Sequence, residues 1–303
     1  MNTATILLLA MLLDAVMGEP RWLWARLPHP AVVMGKAVGS LDMALNRGKH
    51  GLFAGTITLL ILMGGAGALG WGLGHTPAPV QIIVAAILLA QRSLVQHVSA
   101  VAEGLRVSLG DGRRAVSMIV SRDTARMDQS ATARAAIESA AENMSDGVIA
   151  PAFWLLIAGL PGLMIYKIVN TADSMIAYRT PQYEYFGKAA AYMDDILNFL
   201  PARMTCLLMA LPSGNPDAPA IARDASHHRS PNAGWPEAAM ARAINVALAG
   251  PRAYDGIMQD FPWVGGAGAK TIGPLDIDAS VKVLWRTWAL ALGVVALIML
   301  IIN

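Results

Sequence analysis

HGLFAGTITLLILMGGAGALGWGLGHTPAPVQIIVAAILLAQ, residues 50–91, runs for 42 residues without an Asp, Glu, Lys or Arg. A helix crossing the hydrocarbon core of a bilayer needs ~20 apolar residues, so this stretch is long enough for two spans. Gly74-His75-Thr76-Pro77-Ala78-Pro79 interrupts it, and two closely spaced prolines oppose helix continuation. The reading is a helical hairpin over 52–74 and 79–98. Outward from it, Thr3 to Met17 is apolar apart from Asp14 and lacks a basic leader region, so it reads as an uncleaved membrane helix. After Arg286 the last 17 residues carry no charge and give another span. Gly147 to Tyr166 is also uncharged, but Leu160-Pro161-Gly162 divides it. It is either one kinked span or two half-helices that enter and leave on one side. Leu197 to Leu211, with Pro201 and Arg203, reads as interfacial or re-entrant.

Composition agrees. Of 303 residues, 55% are hydrophobic and 15% charged, against about 25% charged in a soluble domain. The formal net charge of +2 is too balanced for a nucleic-acid binder, and the lone Cys206 excludes an internal disulfide. The expected fold class is all-α: a polytopic membrane helical bundle, a single domain over 1–303, with four to six membrane-embedded segments and polar cytoplasmic loops. Arginine and lysine crowd 18–51, 99–149 and 212–279, whereas the turn 75–79 has none. The positive-inside rule then puts the turn and the N-terminus outside, and the loop regions 99–149 and 212–279 in the cytoplasm. A re-entrant 150–170 is preferred, because it keeps the polar residues of 171–196 on that same side.

Two motif matches are decoys. Gly65-x-Gly67-x-x-Gly70 has the letters of a dinucleotide fingerprint but lies inside an uncharged span with no preceding strand, where small residues serve close helix packing. Gly268-Ala269-Lys270-Thr271 lacks the glycines of a phosphate-binding loop. His227-His228 has no spaced Cys or His to complete a zinc set.

Three polar clusters are harder to dismiss. In 121–147, SRDTARMDQSATARAAIESAAENMSDG, the alanine-rich part should be helical, with Arg134, Glu138 and Glu142 on one stripe. An i,i+4 ion pair would account for Arg134 and Glu138 alone. It would not account for Asn143, Ser145 and Asp146 abutting an apolar segment. In 166–203, Lys167, Asn170 and Asp173 follow that segment, and Asp194, Asp195, Asn198 and Arg203 come next. Ionisable groups at membrane depth are costly and usually functional. The third cluster, 224–237, holds His227, His228, Arg229, Asn232 and Trp235 around a Ser-Pro-Asn-Ala-Gly turn, with Pro236 suited to the first turn of a helix. The six carboxylates Glu138, Glu142, Asp146, Asp173, Asp194 and Asp195 have two natural uses. They can hold Mg²⁺ against nucleotide phosphates, or they can relay protons and bind transported cations. Their position at span ends, with Arg122, Arg134, Lys167 and Arg179 nearby for phosphate, favours catalysis at the membrane surface.

Taken together, these strings resemble the CbiB/CobD family of cobalamin biosynthesis. The matching pieces are Asp14…Gly18-Glu19-Pro20, His29-Pro30…Gly35, SRDT at 121–124 and ESAAENMSDGVIAP at 138–151. They continue with YKIVNTADSMIAY at 166–178, YFG at 185–187, DDILNFLPAR at 194–203 and SPNAGWPEAAMA at 230–241. The resemblance implies a ligase of the inner (cytoplasmic) membrane that joins adenosylcobyric acid to an aminoalcohol phosphate, (R)-1-aminopropan-2-ol O-phosphate, with ATP and Mg²⁺. Other late-pathway membrane enzymes are implied as partners, and no nucleic acid. A transporter or a non-catalytic scaffold is the alternative.

On this reading the catalytic candidates are Glu138, Glu142, Asn143, Asp146, Asn170 and Asp173. The substrate-binding candidates are Arg122, Lys167, Arg203, His227, Arg229, Asn232 and Trp235. Asp146, Asp173, Asp194 and Asp195 are the candidate Mg²⁺ ligands.

Overall fold

The structure is a computed structural model, and it describes residues 1–48, 51–214, 217–254 and 257–302. Helices dominate: α1 (Thr3–Met17), α2 (Arg21–Trp24), α3 (Pro30–Leu45), α4 (Gly51–Gly74), α5 (Ala78–Leu88), α6 (Gln91–Val107) and α7 (Leu109–Val116). They continue with α8 (Gln129–Met144), α9 (Ala150–Ile176), α10 (Lys188–Ala210), α11 (Ala218–Ala225), α12 (Gly234–Ala243) and α13 (Pro274–Ile302). Four short strands form two antiparallel pairs, β1 (Leu248–Ala249) with β4 (Trp263–Val264) and β2 (Arg252–Tyr254) with β3 (Ile257–Gln259). Among the described residues, five helical segments are long and apolar enough to cross a membrane, and α1 is a shorter apolar helix. This is the expected polytopic helical bundle.

The contacts cluster into two compact units. The first comprises Met1–Ala90, Ala150–Asn198 and Val295–Asn303. In it α4, apolar around its whole circumference, packs along α9, while α1 lies against α5. Gly70 is what lets α4 approach: a Cβ there would stand 2.6 Å from Pro161 Cα and 2.7 Å from the Leu160 carbonyl oxygen. Within the glycine pattern, Gly70 is therefore the packing device. α9 is broken where the sequence suggested. Ala158 (φ −127°, ψ 15°) and Gly159 (φ 62°, ψ −158°) leave helical geometry, just before Pro161. The connection between α9 and α10 is pinned as well. A Cβ on Gly187 would lie 1.8 Å from the Ile176 carbonyl oxygen, and one on Gly55 1.8 Å from that of Phe186.

The second unit comprises Gln91–Ile149 and Phe199–Val294. The second arm of the hairpin is not one helix. Leu89 is extended (φ −87°, ψ 156°), which separates α5 from α6. α6 is amphipathic and buries Val95, Val98, Val101, Ala102 and Leu105. The polar stretch 99–149 is mostly helix. Ser108 caps α7 by accepting the Asp111 N–H at 3.0 Å, and Asp128 caps α8 by accepting that of Ala131 at 2.7 Å. The many alanines of α8 let α6, α7 and α12 approach it. α8 passes into a π-helical turn, Ser145–Ile149, at the Asn-x-Ser-Asp-Gly string. Turns of this kind recur at functional sites.

Candidate functional site

The second unit contains a cavity of about 320 Å³. Its wall brings together Arg122, Glu138, Glu142 and Asn143 with His227, His228, Arg229 and Glu237. Six of these were expected from sequence: Arg122, Glu138, Glu142, Asn143, His227 and Arg229. α8 presents its polar stripe to the cavity, and the turn after α11 supplies the histidines and Arg229. Glu138 is almost fully buried, at 2% exposure. Arg122 donates to its carboxylate, and its other oxygen accepts the Ala249 N–H at 2.8 Å. The simple i,i+4 pairing of Arg134 with Glu138 is therefore replaced. Arg134 reaches across to donate to the carbonyls of Ala247 (3.1 Å) and Lys270 (2.8 Å), and lies over the Trp263 ring. Arg229 sits over Phe261, 4.7 Å from the ring centroid.

Of these eight cavity residues, Glu237 and His228 are not among the candidate residues named for catalysis, substrate or metal, though both fall in the 224–237 segment. Glu237 lies in the SPNAGWPE string and is buried. His228 Nε2 stands 3.8 Å from its Oε1. The density of metal-capable side chains in 227–237 was a usable signal, but nothing in the spacing tied Glu237 to Glu142, 95 positions earlier.

Arg203, Asn232 and Trp235 meet as a separate group in the same unit. Arg203 donates to Asn232 Oδ1 at 2.8 Å and to the Pro231 carbonyl at 3.2 Å, and its guanidinium lies 4.9 Å from the Trp235 ring centroid. Asn232 is buried. These contacts fix the 230–235 turn in place. Next to the first cavity, a larger one of about 570 Å³ is lined by Arg122, Arg126, Arg134, Lys270 and Trp263 among others.

In the first unit, Asn170 donates to one oxygen of Asp194 (3.2 Å), and Asn198 donates to the other (3.0 Å). The Tyr166 hydroxyl donates to Asn198 Oδ1 at 2.9 Å, with both side chains buried. Asp173 lies within electrostatic range of Asp194 and Asp195, and Lys167 within that of His29. Of the four candidate Mg²⁺ ligands, Asp173, Asp194 and Asp195 are thus neighbours, and Asp146 belongs to the π-helical turn of the second unit. The two amides orient the Asp194 carboxylate, and oxygen ligands of this kind suit a hard cation that retains water.

The family described as CobD/Cbib protein matches residues 7–284. Among curated relatives, the cobalamin biosynthesis protein CobD of Rhizobium meliloti (strain 1021) is 48% identical over 300 residues, covering 92% of each chain. The protein of the same name from Brucella suis biovar 1 (strain 1330) is 43% identical, covering 96% of this chain and 95% of its own. That of Rhodobacter capsulatus is 40% identical over 311 residues, covering 98% of this chain and 99% of its own. No solved structure matches.

Proposed function

Since the chain belongs to the CobD/CbiB family, we propose that it acts in cobalamin biosynthesis as a membrane ligase. The bond formed is an amide between the propionate carboxyl of adenosylcobyric acid and the amine of an aminoalcohol phosphate. A carboxylate resists attack by an amine at neutral pH. ATP, its phosphates bound to Mg²⁺, would supply the activation: transfer of its γ-phosphoryl group to the carboxylate releases ADP and gives an acyl phosphate, from which the amine displaces inorganic phosphate. The observation that carries this reading is the 320 Å³ cavity, which Arg122 and Arg229 line together with Glu142 and His228. Arg122 is proposed for the transferring phosphoryl group, where positioned cations are the main catalytic resource, and Arg229 for the phosphate of the amine substrate. The incoming ammonium must lose a proton before attack, a task for a carboxylate or imidazole of the wall. Asn143 and Asn170 are proposed as hydrogen-bond donors to the acyl oxygen or to corrin amides. Asp146, Asp173, Asp194 and Asp195 are proposed as Mg²⁺ ligands, and Lys167 as a phosphate contact.

The site is proposed to face the cytoplasm. Cysteines introduced at 75–79 are then labelled only from outside, and labelling solely from the cytoplasmic side overturns that orientation. The decisive experiment is amide formation by the purified protein from adenosylcobyric acid, aminoalcohol phosphate, ATP and Mg²⁺. Product formed only when all four are present supports the ligase. Corrinoid or cation uptake into vesicles without amide product supports the transport alternative, to which Asp173 and Asp194 within apolar helical segments would then belong. Unchanged pathway flux in Glu138→Ala and Asp173→Ala supports a scaffold.

A further inference from the structure

We infer that Glu142, His228 and Glu237 form a divalent metal site of mixed nitrogen and oxygen donors, distinct from the aspartates assigned to Mg²⁺. One ligand atom from each lies within 4.8 Å of the others. Donors bound to one ion at ~2.0–2.2 Å stand at most about 4.4 Å apart, so small side-chain rotations close the set. The three arrive from separate elements. Glu142 is on the last turn of α8, His228 follows α11, and Glu237 is in the first turn of α12. All three line the 320 Å³ cavity, so an ion there keeps open positions for a ligand entering that space.

The surroundings of His228 suit a metal. Its Nδ1 faces both the N–H and the carbonyl of Ser230, at 3.0 and 3.3 Å. In the other tautomer, with the proton on Nδ1, that nitrogen gives up the Ser230 N–H and donates to the carbonyl instead, which frees the Nε2 lone pair for an ion held between it and Glu237, 3.8 Å away. A backbone carbonyl holding the far nitrogen is the usual outer support of a metal-bound histidine. Glu237 is 2% exposed and Glu142 half-buried, so two carboxylates converge where solvent screens them poorly. The imidazole selects against Mg²⁺ and Ca²⁺, which prefer all-oxygen shells, and for a first-row ion of the Zn²⁺ or Mn²⁺ type. Such an ion, in a cavity that Arg229 and Arg122 also line, would receive an anionic oxygen from a ligand entering it.

The test uses the full-length protein in detergent, stripped with a chelator and dialysed. Zn²⁺ binding is followed by calorimetry and by elemental analysis after desalting, and Mn²⁺ binding by electron paramagnetic resonance. One tight equivalent is expected, undisturbed by millimolar Mg²⁺. His228→Ala, Glu142→Gln and Glu237→Gln should each weaken it by at least about tenfold, since even outer-shell changes cost that much, while Asp194→Asn leaves it unchanged. Thermal unfolding identifies any variant that fails to fold, and the half-exposed Glu142 gives the variant least exposed to that failure. Equal affinity in wild type and folded variants overturns the site, as does displacement of Zn²⁺ by equimolar Mg²⁺. Amide synthesis is not the readout, so the site and the ligase reading stand or fall separately.

Discussion

Arg122 donates to the carboxylate of Glu138, and the pair is nearly closed to solvent, with side-chain exposures of 14% and 3%. Breaking a buried pair by removing one partner strands the other charge, at a cost of ~3–5 kcal/mol. Glu138→Ala should therefore lower the unfolding temperature strongly, and it also removes the acceptor for the Ala249 N–H. Arg122→Met combined with Glu138→Met should cost much less than the sum of the single changes. A double-mutant cycle by thermal unfolding in detergent measures this, and additive losses would contradict the pairing.

The contact between α4 and α9 makes two glycines in one helix unequal. Gly70→Val must displace the Pro161 backbone, whereas a Cβ on Gly65 meets nothing within 4 Å. The first change should destabilise by at least ~1–3 kcal/mol through overpacking, and Gly65→Val should stay within ~1 kcal/mol. Unfolding temperatures of the two variants provide the comparison.

Arg229 lines the 320 Å³ cavity, and an anionic amine needs cations of its own. Arg229→Ala should raise the Michaelis constant for the aminoalcohol phosphate about ten- to a hundredfold, the loss of one charge-assisted hydrogen bond at ~1.5–3 kcal/mol. The constant for ATP should move far less. Varying one substrate at a time decides it, and equal effects on both constants would return Arg229 to a structural role beside Phe261.

His29 caps α3 by accepting the Ala31 N–H at Nδ1, at 3.2 Å, with the Trp24 ring edge-on to it. Burial holds its pKa below 6.5, outweighing the pull of Glu19, and Lys167 pushes it the same way as burial. The neutral form is thus favoured by folding. The stability it contributes is full above pH 6.5 and is lost as the pH falls from there through the lowered folded value. His29→Asn keeps a capping oxygen without a titrating ring and should flatten this part of the stability profile. A wild-type profile already flat over that window would refute the assignment.

The helix over 52–74 and the terminal helices were legible because a charge-free run of sufficient length has few alternatives. The split at Leu89 was not, because Leu89-Ala90 carries neither proline nor glycine to announce it. Strands of two or three residues leave no period to read. At the site, the stripe on α8 was visible in the spacing of Glu138 and Glu142, but its partners were not. Arg122 took the place of the nearer Arg134 because the second unit folds the 119–122 segment back onto α8, where the Ser139 hydroxyl also donates to the Ile119 carbonyl at 2.8 Å. The partners of Arg203, Asn232 and the Pro231 carbonyl, were no more readable. Residue type was readable in each case, whereas pairing across a hundred positions is a property of the folded chain.

The break in α9 bears on how the protein is made. Ala150 to Ala158 extends for only ~13 Å as helix, and Leu160 to Ile176 for ~25 Å. Each is short of a ~30 Å hydrocarbon core, so neither half is a strong independent signal for the insertion machinery. The loss of helical geometry at Ala158 and Gly159 would also be costly against lipid, where backbone groups must find partners within the protein. Gly70 presents its bare backbone to Leu160 and Pro161, and α4 leaves the ribosome some hundred residues before α9 does. The order of synthesis thus places the finished helix in the bilayer first, as the template on which the interrupted one is received.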